Sequence, residues 1–195
     1  SIPSFTQDQE IKILCVGSIE GRKNQLSLLK AADALWQNGK QFKLTLIGLA
    51  NRSTGWATIR LIKDLQKRGR PLAWLGPRSE KELQHHYATC HFSVYPSISE
   101  GFGLPVLESL KHGKPCICSG QGAIGEISTK GGCLILENTT PKQIAEAMER
   151  LLQNGEFYRR LRKEARKLNF RTWSDYAKDI LDFHSELKLM NEEST

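Results

Sequence analysis

At 195 residues the chain has the size of one domain with a sizeable core. Its 39% apolar and 25% charged residues exclude a disordered or low-complexity protein. No run approaches the roughly 18 apolar residues of a membrane span. The formal charge of +7 leaves three causes: a solvated basic surface, an anionic ligand, or an acidic membrane or nucleic acid.

Residues 1–10 read as a linker or tail. The start, Ser1 to Gln7, has no basic n-region and no apolar h-region, so no signal peptide is expected. Without an initial Met, it fits a fragment of something longer. Residues 11–16 form an apolar run ending at Gly17, the pattern of a buried strand. Residues 24–37 carry Leu26, Leu28, Leu29, Ala32, Leu35 and Trp36 at helical spacing, with Gly39 as the stop. A second strand at 43–47 ends at Gly48, and a second helix at 56–67 is closed by Gly69. The third strand, 72–75, runs into Gly76-Pro77, and Ser79-Glu80-Lys81-Glu82 is a capping box opening a third helix. Strand 91–95 precedes helix 104–112, which Gly113 stops. Strands follow at 115–118 and 133–136. Thr140-Pro141 caps a further helix, and two more are expected at 156–167 and 174–188.

The strands are apolar throughout and alternate with helices, as in a parallel sheet covered on both faces. The expected fold is α/β, a doubly wound, Rossmann-like sheet of about six strands. Such sheets bind ligands at the carboxyl ends of their strands.

Cys15, Cys90, Cys116, Cys118 and Cys133 are odd in number and irregular in spacing. They read as small buried hydrophobes of a reducing, cytoplasmic compartment. Much of the positive charge lies in Arg159-Arg160, Arg162-Lys163 and Arg166-Lys167, opposite Leu161 and Leu168 on one late helix. A solvated helix face is the default, with a weak peripheral contact to an acidic membrane as the alternative. Nucleic acid is not expected, because no aromatic residues interleave with these charges.

Two stretches carry chemistry. Ser97-Ile98-Ser99-Glu100-Gly101-Phe102-Gly103-Leu104-Pro105-Val106-Leu107-Glu108 begins at a strand end and opens a helix. Its glycines let backbone approach a ligand, and the unpaired amides at the helix start attract an anion. Glu108 leans back toward that helix start, where a carboxylate suits vicinal sugar hydroxyls better than phosphate. Glu100 stands on the preceding loop and could accept further hydroxyls. Gly17-Ser18-Ile19-Glu20-Gly21-Arg22-Lys23-Asn24 is the other stretch. Arg22 and Lys23 stand at a helix start, where cations cost stability unless an anion such as a diphosphate meets them.

These stretches, with Trp74-Leu75-Gly76, Tyr95-Pro96-Ser97 and Gly125-Glu126, resemble the C-terminal domain of retaining glycosyltransferases of family 4. The match runs in order over most of residues 11–188. The resemblance implies one half of a GT-B enzyme, metal-independent, that binds a nucleoside-diphosphate sugar of the GDP-mannose or UDP-hexose type. It implies that Glu100 binds sugar hydroxyls, and that amides around Gly101, Phe102, Gly103 and Leu104 hold the diphosphate. Glu108 would hold the ribose, Arg22 and Lys23 the leaving diphosphate, and Gly76-Pro77-Arg78 would border the base. Many members carry Gly-Arg where this chain has Gly17-Ser18, and Arg22 can supply that charge. The acceptor, a glycan or lipid-linked glycan, belongs to an N-terminal domain outside residues 1–195, so these residues alone are expected to be inactive.

No cofactor and no metal ligand set is expected. There is no Asp-x-Asp, and the similar triplet Asp8-Gln9-Glu10 falls in the N-terminal tail. Gly120-x-Gly122-x-x-Gly125 imitates a dinucleotide fingerprint, but Gly131-Gly132 follows too soon for the full helix such a site requires. A glycine-rich turn bordering the sugar is the expectation there. A non-catalytic sugar-nucleotide-binding module is the other alternative, and the retained Glu100, Glu108, Arg22 and Lys23 speak for the enzyme.

Overall fold

The computed structural model describes residues 10–170 and 173–192. The triplet at 8–10 thus lies largely outside the described residues. Six strands form one parallel sheet: β1 (Lys12–Val16), β2 (Lys43–Ile47), β3 (Leu72–Trp74), β4 (Phe92–Tyr95), β5 (Cys116–Ser119) and β6 (Cys133–Leu136). Their order is β3-β2-β1-β4-β5-β6, with every adjacent pair parallel. The order reverses between β1 and β4, the switch point at whose strand ends doubly wound sheets place their ligand crevice. The expected α/β fold is present.

Seven helices pack around the sheet: α1 (Gln25–Gln37), α2 (Trp56–Lys67), α3 (Glu80–Thr89), α4 (Leu104–Lys111), α5 (Gly122–Ser128), α6 (Pro141–Gln153) and α7 (Gly155–Lys167); α8 (Trp173–Glu192) follows, its described side chains exposed. The two-residue period of a strand sorts the core into layers. Ile13, Cys15, Leu44, Leu46, Phe92, Val94 and Ile117 pack with α1, α2 and α6. Leu14 and Ile47 face the other way, toward Tyr87 of α3. Tyr95, Cys116 and Cys118 join Val106 and Leu110 of α4 and Ile124 of α5. Helix α6 shows the local cause. Thr140 accepts the Gln143 amide, Pro141 fits the first turn, and Ile144, Ala147, Met148, Leu151 and Leu152 bury one stripe. The capping box of α3 is formed as expected, with the Ser79 amide bonded to Glu82 Oε2 at 2.9 Å.

The sequence pattern misses α5. Its seven residues are too few to show a helical period, and Gly122 enters it with φ +58°. Gly125 lies so close to the Gly120 carbonyl that a Cβ would stand 2.5 Å from that oxygen. These glycines therefore fold the chain tightly from β5 into a two-turn helix where the sequence suggests only a turn. All five cysteines are free, four of them buried and Cys133 partly so. No described helix is long and apolar enough to cross a membrane.

Candidate functional site

The carboxyl ends of β1, β2 and β3 close on three glycines. The Gly17 amide donates to the Ile47 carbonyl at 2.8 Å, and the Gly48 amide donates to the Gly76 carbonyl at 3.0 Å. A Cβ on Gly48 would collide with the carbonyl of Gly17, and Gly48 holds φ +151° besides. Beyond Gly17, Ile19 still pairs with the chain leaving β2, its amide 2.7 Å from the Leu49 carbonyl. The loop is thus held in line with the sheet before it turns.

It turns through a single 3₁₀ turn, Gly21–Lys23, into α1. Asn24 joins the two in the left-handed region at φ +55°, the one positive φ outside glycine among the described residues. Its side-chain amide donates to the Thr139 carbonyl at 2.8 Å, tying the loop to the entry of α6. The sequence signals the loop but not this anchor.

Across the crevice, the loop after β4 lies against the same turn. The Ile98 amide donates to the Arg22 carbonyl at 2.8 Å. Lys23, buried, donates from Nζ to Glu100 Oε1 at 2.5 Å and to the Tyr95 hydroxyl at 2.9 Å. The Ser97 hydroxyl donates to Glu100 Oε1 at 2.5 Å. Arg22, half-exposed, reaches Glu100 Oε2 at 3.3 Å, the Ser99 carbonyl at 3.2 Å and Glu20 Oε1 at 2.9 Å. The stability cost expected of two cations at a helix start is thus met inside the protein by two carboxylates. Tyr95, Ser97 and Glu20 are site partners that sequence reasoning left without a role. The signal for the first two was their place immediately after a strand.

Burial alone would raise the Glu100 carboxyl, but hydrogen bonds from Lys23, Ser97 and Tyr95 outweigh it and hold the group below its ordinary range. Burial, with the Glu100 carboxylate next to it, pushes the Tyr95 phenol up. The Tyr95 hydroxyl therefore stays protonated. It accepts from Lys23 and offers its own proton to Glu100.

Helix α4 begins at Leu104 after Gly103 in the left-handed region, with no side chain capping it. The amides of Gly101, Phe102, Gly103 and Leu104 make no backbone hydrogen bond among the described residues. They are available to an anion. Phe102 and Leu104 are 60% and 55% exposed, so apolar side chains border these donors.

Glu108 stands apart. No hydrogen bond or ion pair among the described residues joins it to Lys23 or Glu100, and it faces Tyr87 and Glu80 of α3 instead. Its carboxyl is pushed up, chiefly by burial and then by the Glu80 charge, against the pull of Tyr87. Gly76-Pro77-Arg78 leads directly into the Ser79 cap of that same helix α3, with Arg78 Nε 3.8 Å from Glu82. The expected site residues thus fall into two groups. Gly17, Arg22, Lys23 and Glu100 gather at the β1–β4 crevice, whereas Gly76, Pro77, Arg78 and Glu108 lie toward α3. The start of α4 borders the first group and carries Glu108 in the second. No group of three or more metal-ligating side chains occurs among the described residues.

Residues 3–168 match the sequence profile described as Glycosyl transferases group 1. The serotype-specific mannosyltransferase WbdA of Escherichia coli is 29% identical over 171 residues, which are 86% of this chain and 20% of that protein. The O-antigen chain mannosyltransferase B of Escherichia coli is 32% identical over 142 residues, 71% of this chain and 36% of its own length. The chain therefore spans well under half of the length of these relatives. Among solved structures, the C-terminal domain of a glycosyl transferase group 1 family protein, LpcC of Francisella tularensis, superposes with a TM-score of 0.70 at 20% identity, covering 84% of both chains. That likeness is one of fold. The sequence profile spans both loops of the crevice, and the chain belongs to the glycosyl transferases group 1 family.

Proposed function

We propose that this chain is the donor-binding half of a retaining, metal-independent GT-B glycosyltransferase that takes a nucleoside-diphosphate sugar. The observation that carries the proposal is the meeting of Arg22 and Lys23 with Glu100 at the β1–β4 crevice, beside unpaired amides at the start of α4. A lysine ammonium has three donors, and Tyr95 and Glu100 occupy two of the three on Lys23. The third, with the exposed guanidinium of Arg22, is free to meet a diphosphate. Fixed cations and helix-start amides stabilise charge on a departing diphosphate without a metal. Glu100 then serves the transferred sugar, accepting from its hydroxyls, while Glu108 and the Gly76-Pro77-Arg78 loop serve the nucleoside. The two mannosyltransferase relatives favour a mannosyl donor of the GDP-mannose type over a UDP-hexose. Transfer to a glycan or lipid-linked acceptor requires an N-terminal domain facing the crevice.

Calorimetric titration with GDP, UDP and ADP, each with and without EDTA, tests the proposal. Binding of one of them, undiminished by EDTA, is expected. Binding that EDTA abolishes would overturn the metal-free reading, and binding of none would overturn the donor site.

A further inference from the structure

A second basic site lies at the other end of the fold. The Tyr158 hydroxyl donates to the carbonyl of His91, just ahead of β4, at 3.1 Å. Gly113 and Gly132, which precede β5 and β6, abut Arg166 and Ala165. Helix α7 therefore runs along the amino edge of the sheet, away from the crevice. It carries six cations against two acids, four of the seven net positive charges of the chain. Phe157, Tyr158, Leu161 and Ala165 bury its other face, so the basic face is what it presents outward.

Between α6 and α7 this face folds into an open groove of about 540 Å³, whose lining includes Arg150, Phe157, Arg159, Arg160 and Lys163 and one acid, Glu156. The Arg150 guanidinium lies over the Phe157 ring, 3.8 Å from its centroid, and that of Arg160 lies 4.8 Å from the same centroid. The two cations are thus no farther apart than those distances together. Arg150 and Lys163 form no ion pair among the described residues, and Arg160 has Glu164 only at 3.7 Å. Cations this close repel one another, and half of α7 lies too far from its C-terminus for the helix dipole to compensate. A guanidinium held over an aromatic ring keeps N–H donors outside that contact, and a guanidinium fork can receive a phosphate bidentately.

We propose that this α6–α7 groove is a second anion site, separate from the crevice, that grips a phosphate group between the forks of Arg150 and Arg160. The phosphate can belong to a soluble phosphate compound or to a lipid headgroup, and one set of measurements separates the two.

Titrating the protein with inorganic pyrophosphate while following its backbone amide resonances should shift residues 150–163 independently of residues 22–23 and 100–104. Replacing both arginines, Arg150→Gln with Arg160→Gln, should weaken the first response by about tenfold or more and leave the second unchanged. The pair Arg150→Lys with Arg160→Lys keeps the charge but removes the forks. It should also bind more weakly, and equal binding would overturn the bidentate geometry. Sedimentation with phosphatidylcholine vesicles carrying phosphatidylglycerol, lost in the glutamine variant, identifies a headgroup as the source. Pyrophosphate shifts without sedimentation identify a soluble one. If residues 150–163 respond to neither probe, the site does not exist, and the crevice response at 22–23 and 100–104 stands or falls separately.

Discussion

Lys23 Nζ and Glu100 Oε1 lie 2.5 Å apart although 77 residues separate them in the chain. Both side chains are largely buried, at 11% and 8% exposure. The pair exists because β1 and β4 are neighbours in the sheet, which brings the loops leaving them face to face. A buried pair of this kind stabilises little over an apolar pair, but removing one partner leaves an uncompensated charge. Its value here is placement: Glu100 holds the Lys23 ammonium in the crevice, and Lys23 holds Glu100 ionised.

Replacing Lys23 by Met should therefore act on ligand and fold in different measure. Loss of a charge-assisted hydrogen bond should weaken nucleoside diphosphate binding by about 1.5–3 kcal/mol. Glu100 keeps Ser97 and Arg22, so the melting temperature should fall only modestly. Calorimetry and thermal melts on one preparation check both, and unchanged affinity would remove Lys23 from the diphosphate site.

The two glutamates give opposite pH signatures. Glu100 is depressed in the folded state, so its stabilisation is present above the ordinary glutamate range near 4.5 and disappears as the pH falls through its lower folded value. Glu108 is raised, so it destabilises at neutral pH and the penalty lifts as the pH falls through its folded value toward 4.5. Glu100→Gln should lower the melting temperature at pH 7, and Glu108→Gln should raise it. Both differences should shrink on acidification: that of Glu108→Gln toward pH 4.5, that of Glu100→Gln below it. The same sign in both variants at pH 7 would contradict the two environments.

Gly48→Ala should cripple the fold. The added methyl meets the Gly17 backbone, which cannot swing away as a side chain tip can, and φ +151° is strained for alanine besides. A loss of about 3 kcal/mol or more is expected, read as a lower denaturant midpoint. Gly39→Ala is the control. Its Cβ meets nothing within 4 Å, so only the strain of φ +77° remains and the loss should be smaller.

Strand positions and most helix boundaries were legible because apolar runs and terminating glycines are local signals. Gly17, Gly48 and Gly76 each end a strand in the sequence and meet at one edge in the structure. The site's residues were legible in the same way, at strand ends. Their pairing was not, because a lysine and a glutamate on two loops show no sign that β1 will neighbour β4. The sequence offered Arg22 and Lys23 as bare cations awaiting a diphosphate, whereas Glu20 and Glu100 already partly neutralise them. Helix α5 escaped notice because seven residues with two glycines have no period to read. Helix α8, Trp173–Glu192, runs a few residues beyond the expected 174–188, for want of a glycine or proline to mark its end.

The separation of Glu100 from Glu108 allows the two roles to be told apart. Glu108 faces α3 with the Gly76-Pro77-Arg78 loop, away from the cations, so on the proposed function it holds the nucleoside in every ligand that carries one. Glu108→Ala should weaken a free nucleoside diphosphate and its sugar derivative alike, by about 1–3 kcal/mol, the loss typical of a hydrogen bond to a charged group. Glu100 competes with a diphosphate for Lys23 and Arg22. Its neutral variant Glu100→Gln loosens the hold on both cations and should bind the free diphosphate more tightly than the parent, by a few-fold. The same variant cannot accept from sugar hydroxyls as a carboxylate does, so the sugar derivative should gain less, and transfer by the complete enzyme should fall. Titrating both variants with the diphosphate and with its sugar derivative yields four affinities. Weaker binding for both ligands in Glu108→Ala, with tighter diphosphate binding in Glu100→Gln, supports the division of roles. Equal weakening of the free diphosphate by both substitutions would show the two carboxylates acting on the same part of the ligand.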